Sequence, residues 1–298
     1  MNINEQNTHL LPEFEYHAPA SVEEAVRLLG ELGPGALPLA GGTDLLVKMK
    51  QRAVAPAHIV NLKGLPGLTG VEEGPEGIRI GTLTRLRDLE RSGLVAERLP
   101  LLRETVEAMA SVQIRNMATI GGNVCNASPA ADAAVALITL GAEAQIAGSG
   151  GVRTIPLRDF FNGPGATDLR GGEFLTSLLV PRQREGAGWA FLKLGRTSLD
   201  LATVNVAATL QLDGDTVTDC SITLGAVAPT PLRVASTEEF LVGRRVTSEA
   251  FREAAGICCS AIRPISDVRA SAEYRTAVAR ALVFEALTKA CERAGGCA

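Results

Sequence analysis

The sequence has no block of basic residues, no C-x-x-C pair, no G-x-G-x-x-G fingerprint and no apolar run long enough to cross a bilayer. Each absence closes a class. The 29 basic and 33 acidic residues are spread along the 298 positions, for a net charge of −4, so no patch is set to neutralise nucleic-acid phosphates. The longest apolar stretch, Ala130 to Leu140, contains Asp132 and is too short for a membrane span. Met1 to Phe14 is polar and acidic, with no positive start leading into an apolar core, so no secretory signal is expected and the chain is expected to be cytoplasmic. Cys125, Cys220, Cys258, Cys259, Cys291 and Cys297 lack the spacing of a zinc or iron–sulfur nest and are expected to be reduced packing residues. Without the dinucleotide fingerprint, a nicotinamide site of Rossmann type is unsupported.

What is present is a large hydrophobic fraction, 46%, on a chain long enough for two domains. The pattern reads as three successive α/β units. In the first, Val22 to Leu32 has helical spacing behind a Ser21 cap, and Ala36–Ala40 and His58–Leu62 read as short strands around a helix from Leu45 to Gln51. The second opens near Gly77 with an alternating strand, passes through helices at Leu86–Arg91 and Pro100–Ala110 and a helix starting at Ser128-Pro129, and ends in strands at Ala142–Ala147, Val152–Ile155 and Phe174–Val180. The third, after Pro181, has strands at Trp189–Leu194, Ala202–Leu212 and Val217–Ala226, the last two joined by the turn Asp213-Gly214-Asp215. Helices follow from Ser236, and Tyr274, Val278, Leu282 and Ala286 predict one buried stripe in the last.

Two glycine pairs carry the chemistry. The first is Leu39-Ala40-Gly41-Gly42-Thr43-Asp44-Leu45-Leu46, between a strand and a helix. Backbone N–H groups there can approach an anion such as a pyrophosphate with no Cβ in the way, and Thr43 can add a hydroxyl. The alternative is a plain tight turn capped by Thr43. The second is Thr119-Ile120-Gly121-Gly122-Asn123, which offers a further run of backbone donors, followed by Asp132 in the first turn of a helix. That carboxylate either receives hydrogen bonds from sugar hydroxyls or only balances its own helix. His9, His17 and His58 are the only histidines and none adjoins either motif, so no general acid–base pair for an organic substrate is visible.

Leu-Ala-Gly-Gly-Thr-Asp-Leu-Leu at 39–46, Thr-Ile-Gly-Gly-Asn at 119–123 and Ala-Ser-Pro-Ala-Ala-Asp at 127–132 resemble the paired FAD motifs of the molybdenum hydroxylase flavoproteins. These are the medium subunits of carbon monoxide dehydrogenase-like enzymes and the middle domain of xanthine dehydrogenases. The resemblance covers essentially the whole chain. It implies an α+β fold: a two-part PCMH-type FAD-binding domain over 1–181, with subdomains about 1–62 and 63–181, then a C-terminal domain over 182–298 of antiparallel strands packed with helices. It also implies FAD as cofactor, with Leu39, Ala40, Gly41, Gly42, Thr43, Asp44 and Leu45 along the pyrophosphate and adjoining sugar. Thr119, Ile120, Gly121, Gly122 and Asn123 would form the other wall, and Asp132 would hold cofactor hydroxyls. Leu175 matches a position touching the flavin or adenine end, and Lys193 a lysine near the isoalloxazine, where a cation could stabilise the reduced ring. A plain exposed strand lysine is the alternative for Lys193.

The resemblance further implies a large molybdopterin subunit and a small [2Fe–2S] subunit as partners, in a dimer of heterotrimers, with any iron–sulfur centre on the other chain. Electrons would pass from those clusters through FAD to NAD, a quinone or oxygen. A stand-alone FAD oxidase acting on a small organic substrate is the competing reading, and a non-redox nucleotide-binding module a third. At one point the sequence departs from the pattern. Some relatives place an aromatic residue over the flavin in the segment equivalent to Asp200-Leu201-Ala202-Thr203, and here the position is Leu201. The cysteine-rich insertion of benzoyl-CoA-type reductases is also missing.

Overall fold

The computed structural model describes residues 10–296, so His9 and Cys297 lie outside the described residues. A short parallel sheet comes first, in the order β1-β3-β2, from β1 (Glu15–His17), β2 (Ala36–Leu39) and β3 (His58–Asn61). Helix α1 (Val22–Leu32) covers it. Ser21 Oγ accepts the Glu24 N–H at 3.2 Å, and Glu24 Oε2 accepts the Ala20 N–H at 2.7 Å, which fixes where the helix begins. Its buried Ala25, Val26 and Leu29 share a core with Ala36 and Val60 of the sheet. Helix α2 (Leu45–Lys50) follows the first glycine pair directly.

The second sheet is antiparallel, β4-β5-β10-β6-β7, built from β4 (Val71–Gly74), β5 (Gly77–Gly81), β6 (Glu143–Gly148), β7 (Gly151–Pro156) and β10 (Phe174–Pro181). Between β5 and β6 run six helices: α3 (Leu86–Arg91), α4 (Gly93–Arg98), α5 (Pro100–Glu107), α6 (Val112–Met117), α7 (Ile120–Cys125) and α8 (Asp132–Thr139). All eight residues of α8 are buried, Asp132 and Thr139 included. A small hairpin, β8 (Phe161–Gly163) with β9 (Ala166–Thr167), lies before β10. In β10 the register shifts between Leu175 and Ser177, a bulge in the stretch that carries Leu175.

The third sheet, β11-β12-β13-β14, is antiparallel: β11 (Gly188–Leu194), β12 (Val204–Asp213), β13 (Thr216–Gly225) and β14 (Leu232–Arg233). Alternate residues point to opposite faces of a strand, and here the two faces serve two cores. Phe191 and Ala207 join the core around α8, whereas Ala190, Val206, Ala208 and Leu210 join α9 (Ala235–Leu241), α10 (Ser248–Ala261) and α11 (Ala272–Arg293). Helix α11 comes so close to β11 that a Cβ at Gly188 would overlap Ala290 O. No helix among the described residues is long and apolar enough to cross a membrane.

This is the mixed α+β arrangement the sequence implies, with three differences. The helix expected from Ser128-Pro129 begins at Asp132 instead, with Ala131 in the cap position, because Ser128 Oγ accepts the Ala130 N–H in a local turn at 3.3 Å. The second glycine pair lies inside α7, where Thr119 Oγ1 caps the helix by accepting the Gly122 N–H. The buried stripe of α11 is Arg275, Ala279, Val283, Ala286, Leu287, Ala290 and Cys291, so of the predicted positions only Ala286 is fully covered and Tyr274 is exposed.

Candidate functional site

A cavity of about 640 Å³ opens where the loops after β2, the helices α6 to α8 and the strands β10 and β11 meet. That volume lies within the usual range for cofactor pockets. Of the site residues expected from sequence, all but two line it. Leu39 packs instead with Met49 and Ile59, and Ile120 is wholly buried in the core around α8. These two set the position of the walls and do not form them.

Ala40, Gly41, Gly42, Thr43, Asp44 and Leu45 all line the cavity. Gly42 has φ +77°, a conformation an L side chain resists. Gly41 is needed for a different reason: a Cβ there would overlap Met117 O, so the loop can pass α6 only as glycine. Among the described residues, no protein acceptor receives the backbone N–H groups of Gly42, Thr43 and Asp44. Asp44, not Thr43, holds the cap position of α2, and no side chain caps the helix. The expectation of free donors therefore holds for this loop.

It fails for the second. Ile120 N–H donates to Thr84 O at 3.0 Å, Gly121 N–H to Thr82 O at 2.9 Å, Gly122 N–H to Thr119 Oγ1 at 3.1 Å and Asn123 N–H to Thr119 O at 3.0 Å. Ile120 to Asn123 thus spend their backbone donors on the protein. A Cβ at Gly121 would overlap Thr82 Oγ1 and lie 2.7 Å from Thr82 O, so this glycine lets α7 dock on the segment after β5. What the motif presents to the cavity is side-chain chemistry. Asn123 Oδ1 is buried without a partner among the described residues, which marks a place for a ligand donor.

Two polar clusters line the cavity. In one, Lys48 Nζ donates to Asn126 Oδ1 at 2.7 Å and Asn126 Nδ2 to Asp44 Oδ1 at 3.1 Å, tying α2 to the end of α7. Neither Lys48 nor Asn126 was picked out from sequence, although Lys48 falls on the turn of helix after the glycine pair. In the other, Asp132 Oδ2 accepts Lys193 Nζ at 2.7 Å, and Asp132 Oδ1 accepts a short hydrogen bond from Asn205 Nδ2. Burial pushes the Asp132 carboxyl up, while the Lys193 charge and the hydrogen bonds from Lys193 and Asn205 pull it back. Asn205 faces Gly225 across β12 and β13, and a Cβ at Gly225 would overlap Asn205 Oδ1. Gly225 is thus the space that lets Asn205 reach the carboxylate. Lys193 is nearly buried, which removes the exposed-strand reading for it. Asp132 does more than balance its helix, since both of its oxygens are engaged across the fold.

Leu175 is buried in the cavity wall, and Leu199 and Leu201 line the cavity with exposed side chains. Cys125 also lines it, but burial pushes its thiol up to about 12, and it stays a packing residue as expected. The residues suit an elongated anionic ligand with an apolar part: free N–H donors and Lys48 for negative charge, an unmatched Asn123 oxygen for a donor, and leucines for the remainder.

The family model described as the FAD binding domain in molybdopterin dehydrogenase matches residues 12–183, and that of the CO dehydrogenase flavoprotein C-terminal domain matches residues 189–290. The chain belongs to this flavoprotein family. As a member it binds FAD and forms part of an oxidoreductase. It is 40% identical to the carbon monoxide dehydrogenase medium chain of Hydrogenophaga pseudoflava over 95% of this chain and 98% of that one. It is 34% identical to the glyceraldehyde dehydrogenase medium chain of Sulfolobus acidocaldarius over 92% of this chain and 97% of that one. A solved structure of carbon monoxide dehydrogenase from Hydrogenophaga pseudoflava matches with a TM-score of 0.94 at 40% identity, covering 95% of this chain and 99% of that one. The flavoprotein fold expected from the two glycine motifs is therefore the fold of the family.

Proposed function

We propose that this flavoprotein takes electrons from the [2Fe–2S] clusters of a small partner subunit and hands them to an external acceptor, NAD, a quinone or oxygen. A large molybdopterin subunit would oxidise the substrate, and the three chains would assemble as a dimer of heterotrimers in the cytoplasm. Residues 1–181 would form the FAD-binding domain and 182–298 the C-terminal domain. The observation that carries this reading is the make-up of the cavity. No histidine lines it among the described residues, and its Lys193 and Asp132 are locked in an ion pair, so it offers binding and electrostatics without a free acid–base pair.

Bound FAD supplies the redox chemistry. On this reading the N–H groups of Gly42, Thr43 and Asp44, with Lys48, hold the pyrophosphate. Asn123 and Asp132 take hydrogen bonds from cofactor hydroxyls or ring atoms, and Leu175 forms an apolar wall. Lys193, paired with Asp132, would lie at the flavin end, where a cation would favour the reduced, more negative ring. Exposed Leu199 and Leu201 leave the mouth of the cavity open to another molecule. The substrate of the complex would be chosen on the molybdopterin chain, as relatives named for carbon monoxide and for glyceraldehyde suggest.

The test uses the FAD-loaded chain with and without its small subunit. Alone it should carry one FAD and remain oxidised when mixed with aldehydes, purines or amines. The reduced small subunit should bleach the flavin bands rapidly. Direct bleaching by an organic donor without any partner would overturn the reading in favour of a stand-alone oxidase.

A further inference from the structure

Away from the cofactor cavity, Glu15, His17 and His58 bring three ligand atoms together on the parallel sheet. Glu15 and His17 are two apart in β1 and share a face, and Glu15 stands opposite His58 in the β1–β3 register. His17 Nε2 is 3.1 Å from His58 Nδ1, and Glu15 Oε2 is 3.5 Å from His58 Nδ1 and 4.0 Å from His17 Nε2.

We propose that Glu15, His17 and His58 form a binding site for a zinc-class divalent cation. Zinc bonds of about 2.0–2.1 Å to nitrogen and oxygen set neighbouring vertices of a tetrahedron about 3.3 Å apart. The three separations bracket that edge, so the atoms already outline one face of a tetrahedron. The two imidazoles and one carboxylate are the ligand types zinc, cobalt and nickel accept. Without metal, the imidazoles satisfy one another through a single hydrogen bond, which requires one ring to offer a lone pair. A cation takes a lone pair from each ring. His17 then carries its proton on Nδ1, and neutral rings release none. Glu15 is 75% exposed and the histidine side chains are 23% and 22% exposed, so the ligands are reachable and the fourth position can hold water. The ion would clip β1, a three-residue edge strand, to β3 at the centre of the sheet.

The test is equilibrium dialysis of the FAD-loaded protein against buffered zinc, with bound metal measured by mass spectrometry. Wild type should bind one zinc that Glu15→Gln, His17→Gln and His58→Gln each weaken by at least about tenfold, since even a residue that only orients a ligand is worth about 10–100-fold. Glutamine retains hydrogen bonding, and unchanged FAD content and circular dichroism show that each variant is folded. Zinc should also raise the thermal midpoint of wild type and leave that of Glu15→Gln and His17→Gln unmoved. No zinc bound at micromolar free metal, or undiminished affinity in His17→Gln, would overturn the site and leave only a hydrogen-bonded imidazole pair.

Discussion

Lys193 Nζ and Asp132 Oδ2 lie 2.7 Å apart, joining a strand of the third sheet to the first residue of a buried helix in the second unit. Both side chains are almost fully covered, and Asn205 holds the other carboxylate oxygen. Removing one partner of such a pair costs far more than the pair contributes, because the other charge stays buried.

Asp132→Ala should therefore destabilise the chain by about 3–5 kcal/mol in urea unfolding, the range for stranding a buried charge. FAD affinity should fall as well, by about 1–3 kcal/mol for the lost charged hydrogen bonds. An affinity loss at unchanged stability would assign Asp132 to the cofactor alone.

Gly121→Ala should lower stability first and FAD content second. The added Cβ collides with Thr82 and pushes α7 from its seat, while the N–H groups of Gly121 and its neighbours Ile120, Gly122 and Asn123 are already taken by protein acceptors. A cost of about 1–3 kcal/mol is the usual result of overpacking. Normal thermal stability combined with loss of FAD would restore a direct cofactor role for this glycine.

Lys48→Gln should weaken FAD binding about tenfold or more, one hydrogen bond to a charged group being worth about 1.5–3 kcal/mol net of water. The salt dependence of FAD binding should become shallower too. Asn126→Ala should weaken binding less, through lost positioning of Lys48 and Asp44. Titration of the apoprotein with FAD checks both, and equal affinities in wild type and Lys48→Gln would remove Lys48 from the site.

Asp267 sets an acid limit on stability. Its carboxylate accepts the Arg269 N–H at 2.8 Å, Arg275 Nη2 at 2.7 Å and the Ala270 N–H at 3.2 Å. These bonds, the Arg269 N–H foremost, hold the group at about 2 against an ordinary 3.8. A depressed carboxyl stabilises the fold above its ordinary value and loses that contribution as pH falls through about 2. Partial exposure leaves about 1–2 kcal/mol. Asp267→Asn should cost that amount at neutral pH and flatten the stability profile in the acid range. Arg275 Nη1 also donates to Thr203 O at 2.6 Å, so the loop carrying Leu201 should loosen in the same variant, seen as faster amide exchange.

The periodicity located most of the regular structure, since helices such as Val22–Leu32 and Leu86–Arg91 and the strands of the third sheet have strong patterns and clear turns. It missed several short elements, β4, α4, α6 and the β8–β9 hairpin among them, and three further cases have a clear physical reason. β1 has three residues and no alternation to read. The buried stripe of α11 slipped by one position because a helix packed on two sides has apolar residues on several faces, and Arg275 is buried by its hydrogen bonds rather than by apolarity. The second motif reads as a run of free donors, yet Gly121 donates to Thr82 O and Ile120 to Thr84 O, acceptors on a distant segment that give no local signal, and Gly122 donates to its own helix cap, Thr119 Oγ1. The same holds for Asn205, whose role depends on the register that sets it against Gly225. Motifs fixed by local backbone chemistry were legible; those fixed by a partner distant in the chain were not.

Asp132 leaves the ribosome before either of its partners. Lys193 follows 61 residues later and Asn205 73 residues later. At about 5–20 residues per second the second delay lasts roughly 4–15 s. Through most of that interval the Asp132 carboxylate has neither Lys193 nor Asn205 to match it. The wall of the cavity that carries Lys193 is the last to be made, because it comes from a strand of the third sheet.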